Sequence, residues 1–480
     1  MGIKDKAVSG VKWNTVATVY GMVIQLLRIA ILTRLLEKSD FGIVAIAAMV
    51  ISFTDIFSDL GLTVAIIHKQ DVTKNQFSSL YWMNLFTSTI LFAGVALSSP
   101  IFSRFYNEPI LTTIIPLLGI QIFLNAFGKL FQTIKTRNLE FKFLSLVKIT
   151  SYTIGFITTT VLAYLGLGVY SLVIGQLVQV AINQLCYTIA GSKEIKISFH
   201  FNYSEISEFI KIGVYQLGAN FLDFVSNKID VFLIGRFFGM ADLGIYNLAK
   251  DLILKPKQII STLINSVVSA AFAKIQSNLA LVRETYVKMA DLVSFITVPI
   301  YILMAVYAES IVTIIYSADY LEVAALLRIL SFVGLLSSID SLAATIIMAF
   351  GRTEIGLIWT TVRVVLSIVT ILIASSMSIS AVAYGLLIVA IISFVLYWRF
   401  AIYQIIKLKL SDYVRSIMYN VFIAVSLAAL FALTKSFLPG NITCDIIQMT
   451  VFLSLYLLII MLYRKSIKES VKQLLRRNVS

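Results

Sequence analysis

Phe41-Gly-Ile-Val-Ala-Ile-Ala-Ala-Met-Val-Ile-Ser52 carries no charged residue, and Thr450-Val-Phe-Leu-Ser-Leu-Tyr-Leu-Leu-Ile-Ile-Met-Leu462 repeats the pattern near the other end of the chain. Neither run alternates polar and apolar positions, as the strands of a membrane barrel would. In lipid, only helices and closed barrels satisfy their own backbone groups. The two runs therefore read as pieces of membrane-spanning helices, each needing roughly 20 mostly apolar residues to cross the bilayer. The rest of the chain agrees. Of 480 residues, 59% are hydrophobic and only 13% are charged, with a mean hydropathy of +0.91. Soluble domains carry about a quarter charged residues. The expected fold class is an all-α integral membrane protein.

Extending the reading outward gives about 14 transmembrane helices. Spans 1 to 6 cover 13–36, 41–67, 79–103, 110–131, 146–165 and 168–190. Spans 7 to 12 cover 209–236, 242–272, 288–316, 322–350, 356–375 and 380–402. Spans 13 and 14 cover 412–434 and 446–463. Span 1 is read as an uncleaved first span, because Asn14 to Leu36 is longer than a signal-peptide core. Lys6 stands where a myristoylation site needs Ser or Thr. With the N-terminus placed in the cytoplasm, 26 of the 39 Lys and Arg fall in cytoplasmic segments and the span ends beside them. The far side holds five: Arg34, Lys38, Arg104, Arg236 and Lys435. Basic residues set orientation in this sense, so both termini are expected to be cytoplasmic. The net charge of +14 follows from those loops. It fits an anionic inner leaflet better than nucleic acid.

The chain repeats itself at an offset of 202 residues. Arg34-Leu-Leu-Glu-Lys-Ser-Asp40-Phe41-Gly42 returns as Arg236-Phe-Phe-Gly-Met-Ala-Asp242-Leu243-Gly244. Carried back along the chain, the offset pairs two polar stripes. Asn14, Thr18, Gly21, Gln25 and Arg28 lie on span 1; Gln216, Asn220, Asp223, Asn227 and Asp230 lie on span 7. Both step by four and three in turn, which holds each stripe on one helix face. Six spans separate the copies, so both enter the membrane in the same sense, as parallel repeats about an axis along the membrane normal. The expected organisation is two six-helix lobes, 1–199 and 200–410, followed by two extra helices in 411–463 and a basic tail, 464–480.

Thirteen ionisable residues fall inside spans: Arg28, Asp55, Asp59, Asp223, Lys228, Asp230, Lys250, Asp251, Lys255, Lys257, Arg328, Asp340 and Arg363. Each would cost roughly 2.5–3.5 kcal/mol at a helix centre facing lipid. They must face one another or water, and a polar cavity lined by spans 1, 2, 7 and 8 is the simplest arrangement. Arg28 and Asp230 are repeat-equivalent and are expected to pair across it as a gate. Arg328, Asp340 and Arg363 read more simply as packing ion pairs. Asp55 and Asp59, one turn apart, either bind a coupling proton or cation or pair with Lys257, the repeat-equivalent of Asp55. Pro256 is expected to kink span 8 beside Lys255 and Lys257.

Other chemistry is sparse. Cys186 and Cys444 lie in apolar surroundings and imply no disulfide framework. His68 and His200 fall in cytoplasmic loops. The sequence contains no nucleophile–base set, metal cluster or phosphate-cradling glycine loop. The polar segments are too short for a catalytic domain. The chain is therefore read as a transporter and not an enzyme, with no metal and no cofactor beyond a coupling H+ or Na+.

Four stretches are shared with a known family: Arg34 to Gly42, Asp59-Leu-Gly-Leu-Thr-Val-Ala-Ile-Ile67, Gln132-Thr-Ile-Lys-Thr-Arg-Asn-Leu-Glu-Phe-Lys142, and Gly166-Leu-Gly-Val-Tyr-Ser-Leu-Val-Ile-Gly-Gln176. In this order the sequence resembles a polysaccharide or O-antigen repeat-unit flippase of the multidrug/oligosaccharidyl-lipid/polysaccharide exporter superfamily. The likeness is to the branch of colanic-acid and teichuronic-acid exporters. It implies transfer of an undecaprenyl-pyrophosphate-linked oligosaccharide from the inner to the outer leaflet of a bacterial cytoplasmic (inner) membrane, by alternating access, for lipopolysaccharide or exopolysaccharide. Lipid-linked oligosaccharide and membrane lipids are the implied partners, with the polymerase and glycosyltransferases of the same pathway; nucleic acid is not among them. Related lipid II flippases use cavity cations, one on the first span, and Arg28 matches that span. The second span departs from them, with Asp55 and Asp59 where they carry a cation.

On that reading Asn14, Gln25, Asn220 and Asn227 hydrogen-bond sugar, while Arg28, Lys250 and Lys257 hold pyrophosphate. Asp55, Asp59 and Asp230 serve coupling and gating. The polyprenyl chain is expected along spans 13 and 14. Two other readings compete: a cation-coupled drug or small-molecule exporter of the same fold, and a membrane glycosyltransferase or polymerase. The second would need a large loop with acid and base residues.

Overall fold

The computed structural model describes residues 3–58, 63, 66, 72–435 and 442–463. Every regular element among them is helical. Twelve helices are long and apolar enough to cross a membrane. They coincide with spans 1 to 6 and 9 to 14. The helix of span 1 is Ile3–Leu32, and its part apolar enough to cross a membrane is Lys12–Leu32, starting about where the expected span does. Span 2 is Lys38–Ser58; its expected continuation to 67, with Asp59, falls mostly outside the described residues, as does His68. Spans 3 to 6 are Lys74–Tyr106, Leu111–Arg137, Phe141–Tyr164 and Val169–Ser192.

Spans 7 and 8 are the two arms of one 73-residue helix, Tyr203–Ile275. The break lies at Gly239, whose φ of 84° and ψ of −178° suit a residue without a Cβ. Neither arm is among the twelve counted among the described residues, so the expected number of 14 is not confirmed. Pro256 does not break its arm: Gly239 holds the non-helical backbone angles of that helix. Spans 9 to 14 follow as Leu279–Val306, Glu322–Ala349, Thr353–Ala374, Ile379–Ile406, Leu410–Lys435 and Ile442–Tyr463.

Local chemistry sets the ends of these helices. Thr73 opens span 3 with a capping box: its hydroxyl accepts from Gln76 N at 3.2 Å, and its own N–H donates to Gln76 Oε1 at 3.1 Å. Asn107 closes the same span in the left-handed region, φ 56°, and Glu108 N returns to Ser103 O at 3.0 Å.

Contacts divide the chain into two compact units, Met1–Asn247 and Leu248–Ser480. In the first, span 6 packs on spans 4 and 5, span 4 on spans 2 and 3, and span 1 on span 5. A core near one end of these helices gathers Phe77 and Leu80 of span 3, Phe131 of span 4, Val147 of span 5, Tyr187 of span 6 and Phe209 of span 7. In the second unit, span 9 packs against spans 10 and 13, and span 12 against spans 10 and 11.

The sequence repeat has a structural counterpart inside the first unit. A Cβ added at Gly42 would run into the carbonyl oxygen of Met240, and one at Gly244 into that of Lys38. Lys38 and Met240 are 202 residues apart, as are Gly42 and Gly244. The contact is thus reciprocal: each glycine meets the equivalent carbonyl of the other copy, as across a two-fold axis. The starts of spans 2 and 8 cross backbone against backbone, which only glycine allows.

Candidate functional site

Span 1 separates its two faces. Val16, Val19, Val23 and Leu27 are about half exposed and lie opposite the polar stripe. Within the stripe, Thr18, Gln25 and Arg28 are partly buried, and Asn14, near its N-terminal end, is exposed. Thr18 Oγ1 donates to the Asn14 carbonyl at 2.8 Å. Gly21 lies against the Tyr152 ring, and Tyr20 Oη meets Thr153 Oγ1 at 2.6 Å, fixing span 1 to span 5. From Thr18 to Arg28 the stripe thus lies on the more buried face of span 1, with Gly21 packed against span 5, and the apolar residues lie on the more exposed face.

Span 7 carries the equivalent stripe in a different state. Asp223 and Asn227 are exposed, Asn220 is partly buried, and Asp230 is buried. Asn227 Nδ2 donates to the Asp223 carbonyl at 2.7 Å. The Asp230 carboxylate accepts from Val231 N at 2.8 Å and from the Tyr246 hydroxyl at 2.6 Å. Tyr246 belongs to span 8, so Asp230 clasps spans 7 and 8 across the Gly239 break. Sequence reading missed Tyr246, because its repeat-equivalent is Val44, which has no hydroxyl to betray the contact. On span 2, Asp55 is exposed and its carbonyl accepts from Ser58 Oγ at 3.1 Å. Asp59 lies outside the described residues.

In the second unit, Lys250 and Lys257 are partly buried. Tyr301 Oη donates to the Ile253 carbonyl at 2.7 Å and meets Ser338 Oγ at 3.2 Å, drawing spans 8, 9 and 10 together. One turn and two residues further on, Lys257 and Asp340 lie in each other's field, with Arg363 of span 11 beside both and Lys250 beside Lys257. Asp340 and Arg363 are thus part of one charge cluster with two lysines. Arg328 is a simpler case, an exposed pair with Glu309 at 3.0 Å.

Three further polar knots were not legible in the sequence. Lys135, buried at the end of span 4, binds Glu140 at 2.9 Å and also Glu194, which ties the Gln132–Lys142 stretch to the end of span 6. Asn420 of span 13 donates to Asp291 Oδ1 at 3.1 Å and to Ser294 Oγ at 2.7 Å on span 9. Tyr307 Oη donates to Gln448 Oε1 at 2.9 Å, and Ser310 binds Asp445, which fixes span 14. The last two join residues more than 100 positions apart within otherwise apolar runs, where no periodicity signals them.

This arrangement has counterparts among known proteins. The chain is 26% identical over 417 residues to the teichuronic acid biosynthesis protein TuaB of Bacillus subtilis strain 168, covering 87% of this chain and 86% of that protein. It is 24% identical over 418 residues to the lipopolysaccharide biosynthesis protein WzxC of Escherichia coli strain K12, covering 87% and 85%. Among solved structures it shares the fold of the lipid II flippase MurJ in an inward closed conformation. The TM-score there is 0.76 at 14% identity, over 94% of this chain and 99% of that one. An inward-facing multidrug MATE transporter aligns with a TM-score of 0.63 at 14% identity, over 80% and 94%. The family model described as "Polysaccharide biosynthesis protein" matches residues 31–325, more than half of the chain, and the chain belongs to that family.

Proposed function

We propose that this chain is a flippase for lipid-linked oligosaccharide repeat units. It carries an undecaprenyl-pyrophosphate-linked glycan from the inner to the outer leaflet of a bacterial inner membrane, for assembly of a surface polysaccharide. The observation that carries the reading is the pair of repeat-related polar stripes, each ending in a charge, in a family of polysaccharide biosynthesis proteins. Stripes of amide side chains suit hydroxyl-rich sugar, and a cation on the stripe suits phosphate.

In this scheme Asn14, Gln25, Asn220 and Asn227 contact sugar, and Arg28, Lys250 and Lys257 hold the pyrophosphate. Asp230 gates, and Asp55 or Asp59 takes the coupling H+ or Na+. The transport cycle is alternating access of the two repeat lobes, with both termini cytoplasmic. The upstream glycosyltransferases supply the substrate, and a polymerase takes the product. The fold alone does not separate this reading from a cation-coupled drug exporter, because MATE transporters share it; the named relatives favour polysaccharide. The test is complementation of a flippase-null strain, scored by surface polysaccharide. Restoration by the wild-type chain and loss with Arg28→Ala at equal membrane abundance is the expected result. Failure of the well-expressed wild-type chain with several repeat-unit chemistries would overturn the proposal.

A further inference from the structure

Spans 2, 3 and 7 enclose a groove of about 670 Å³ within the first unit. That is the size range of sites for small molecules and cofactors. Its wall is aromatic: Phe53 sits 5.4 Å from Phe224, centroid to centroid, and Phe102 and Phe232 line it further along. Thr54 and Ser98 also face it, but their hydroxyls are engaged by their own helices, donating to Ile51 O and Val95 O at 2.8 and 2.9 Å. Among the described lining residues, the one charge is Lys228. Gly94 opens the floor: a Cβ there meets nothing within 4 Å.

The depth of Lys228 decides what kind of lipid the groove suits. It stands eight residues before Arg236, the far-side end of span 7 as read from the sequence. At 1.5 Å rise per residue that is about 12 Å along the helix. The hydrocarbon core is about 30 Å thick, so on that reading Lys228 lies well inside it. A resident phospholipid keeps its phosphate at the surface, where this lysine does not reach. A lipid in the course of crossing brings its phosphate to this depth. Lys228 is also next in sequence to Asn227 of the polar stripe, so span 7 offers a head-group face and a chain-binding face side by side.

We infer that this groove holds the head-proximal isoprene units of a polyprenyl diphosphate, with Lys228 holding its phosphate within the membrane. The inference rests on the proposed function and names the place of that part of the substrate's tail, moving it from spans 13 and 14 to spans 2, 3 and 7.

The test is photolabelling of the full-length protein in nanodiscs. p-Benzoylphenylalanine is placed at position 224 in the groove, or at position 422, where Phe422 is 70% exposed on span 13. The probes are radiolabelled undecaprenyl diphosphate, undecaprenol and a phospholipid of matched label. Position 224 should capture the diphosphate in a reaction that unlabelled diphosphate competes away, and position 422 should show no competable adduct. Lys228→Gln should reduce the preference for diphosphate over undecaprenol by about tenfold or more, the equivalent of one charge-assisted contact. Gly94→Trp and the milder Gly94→Leu should block capture while eluting as folded protein. Equal, uncompeted labelling at 224 and 422, a preference for the phospholipid, or unchanged capture in both folded Gly94 variants would overturn the proposal. The probe carries no sugar, so capture is independent of complementation. Capture without complementation would leave the groove and remove the flippase reading, and the reverse result would do the opposite.

Discussion

The reciprocal crossing of Gly42 and Gly244 makes a quantitative prediction. An alanine at either position places a methyl group on a backbone carbonyl of the other helix, Met240 or Lys38. The obstacle is main chain, so no side-chain rotation relieves it. The helices must part, and overpacking of this kind costs about 1–3 kcal/mol. Because the two contacts are equivalent, Gly42→Ala and Gly244→Ala should cost the same to within about 0.5 kcal/mol, the scatter of independent measurements. Because they share one crossing, the first substitution also relieves the second, and the double variant should cost clearly less than the sum. Gly94→Ala is the control: its Cβ enters open space, and replacing a helical glycine without strain stabilises by about 0.4–1 kcal/mol. The assay is denaturant unfolding in detergent micelles of all four proteins, with single-turnover transport beside it. An effect at one glycine only, full additivity, or a loss in Gly94→Ala equal to the others would refute the reasoning.

Four further outcomes follow from the same structure. Single cysteines at 38 and 435 should label from outside intact cells and one at 137 should not; external labelling at 137 would reverse the orientation. Cysteines at 25 and 227 should react with small aqueous thiol reagents while one at 23, on the exposed apolar face of span 1, stays inert; protection of both stripe positions throughout the transport cycle would remove the path. Tyr246→Phe and Asp230→Asn should show a coupling of about 0.5–3 kcal/mol in a double-mutant cycle of unfolding, since their 2.6 Å contact is charge-assisted; additive losses would remove the clasp. Lys135→Ala should lower membrane abundance, because Glu140 and Glu194 lose a shared cation, whereas Lys142→Gln should not, as Lys142 is exposed and stacks over Trp13; equal abundance of the two variants would deny Lys135 its structural role.

How much of this was legible in the sequence depends on the physical scale of the signal. Apolar runs such as Phe41–Ser52 and Thr450–Leu462 announce helices because lipid leaves no other option, and the structure places helices there. Helix ends were less legible. The helix of span 1 begins ten residues before its apolar run, since Lys4, Lys6 and Lys12 favour a helix as much as a loop. The break between spans 7 and 8 lies at Gly239, inside the 237–241 gap that the span boundaries leave, and Pro256 sits within the second arm with helical backbone angles. A proline's ring fits a helix whose surroundings tolerate a missing hydrogen bond. A positive φ has no such remedy for any residue but glycine. Gly239 lies inside the repeat motif and inside the gap between the expected spans 7 and 8, so its place was legible, whereas the continuation of one helix through it was not.

The candidate site shows the same division. The stripes on spans 1 and 7 were visible because steps of four and three are a property of one helix. What each stripe residue touches depends on other helices, and there the sequence was silent. Asp230 is the instructive case. Repeat symmetry pairs it with Arg28, and on symmetry alone it reads as half of a gate. In the folded chain its two oxygens accept from Val231 and Tyr246, a clasp that the first repeat cannot copy, since Val44 stands where Tyr246 would be. The clasp fixes where the Asp230 carboxylate sits, and a fixed position suits the attraction for Arg28 that the proposed gate requires. If so, Asp230→Asn should weaken the attraction while retaining an acceptor for the Tyr246 hydroxyl, and Tyr246→Phe should loosen the carboxylate while leaving its charge. Transport should then respond to the first more than unfolding does, and unfolding to the second more than transport does. The opposite pattern would make Asp230 a structural residue whose equivalence to Arg28 is an accident of the repeat.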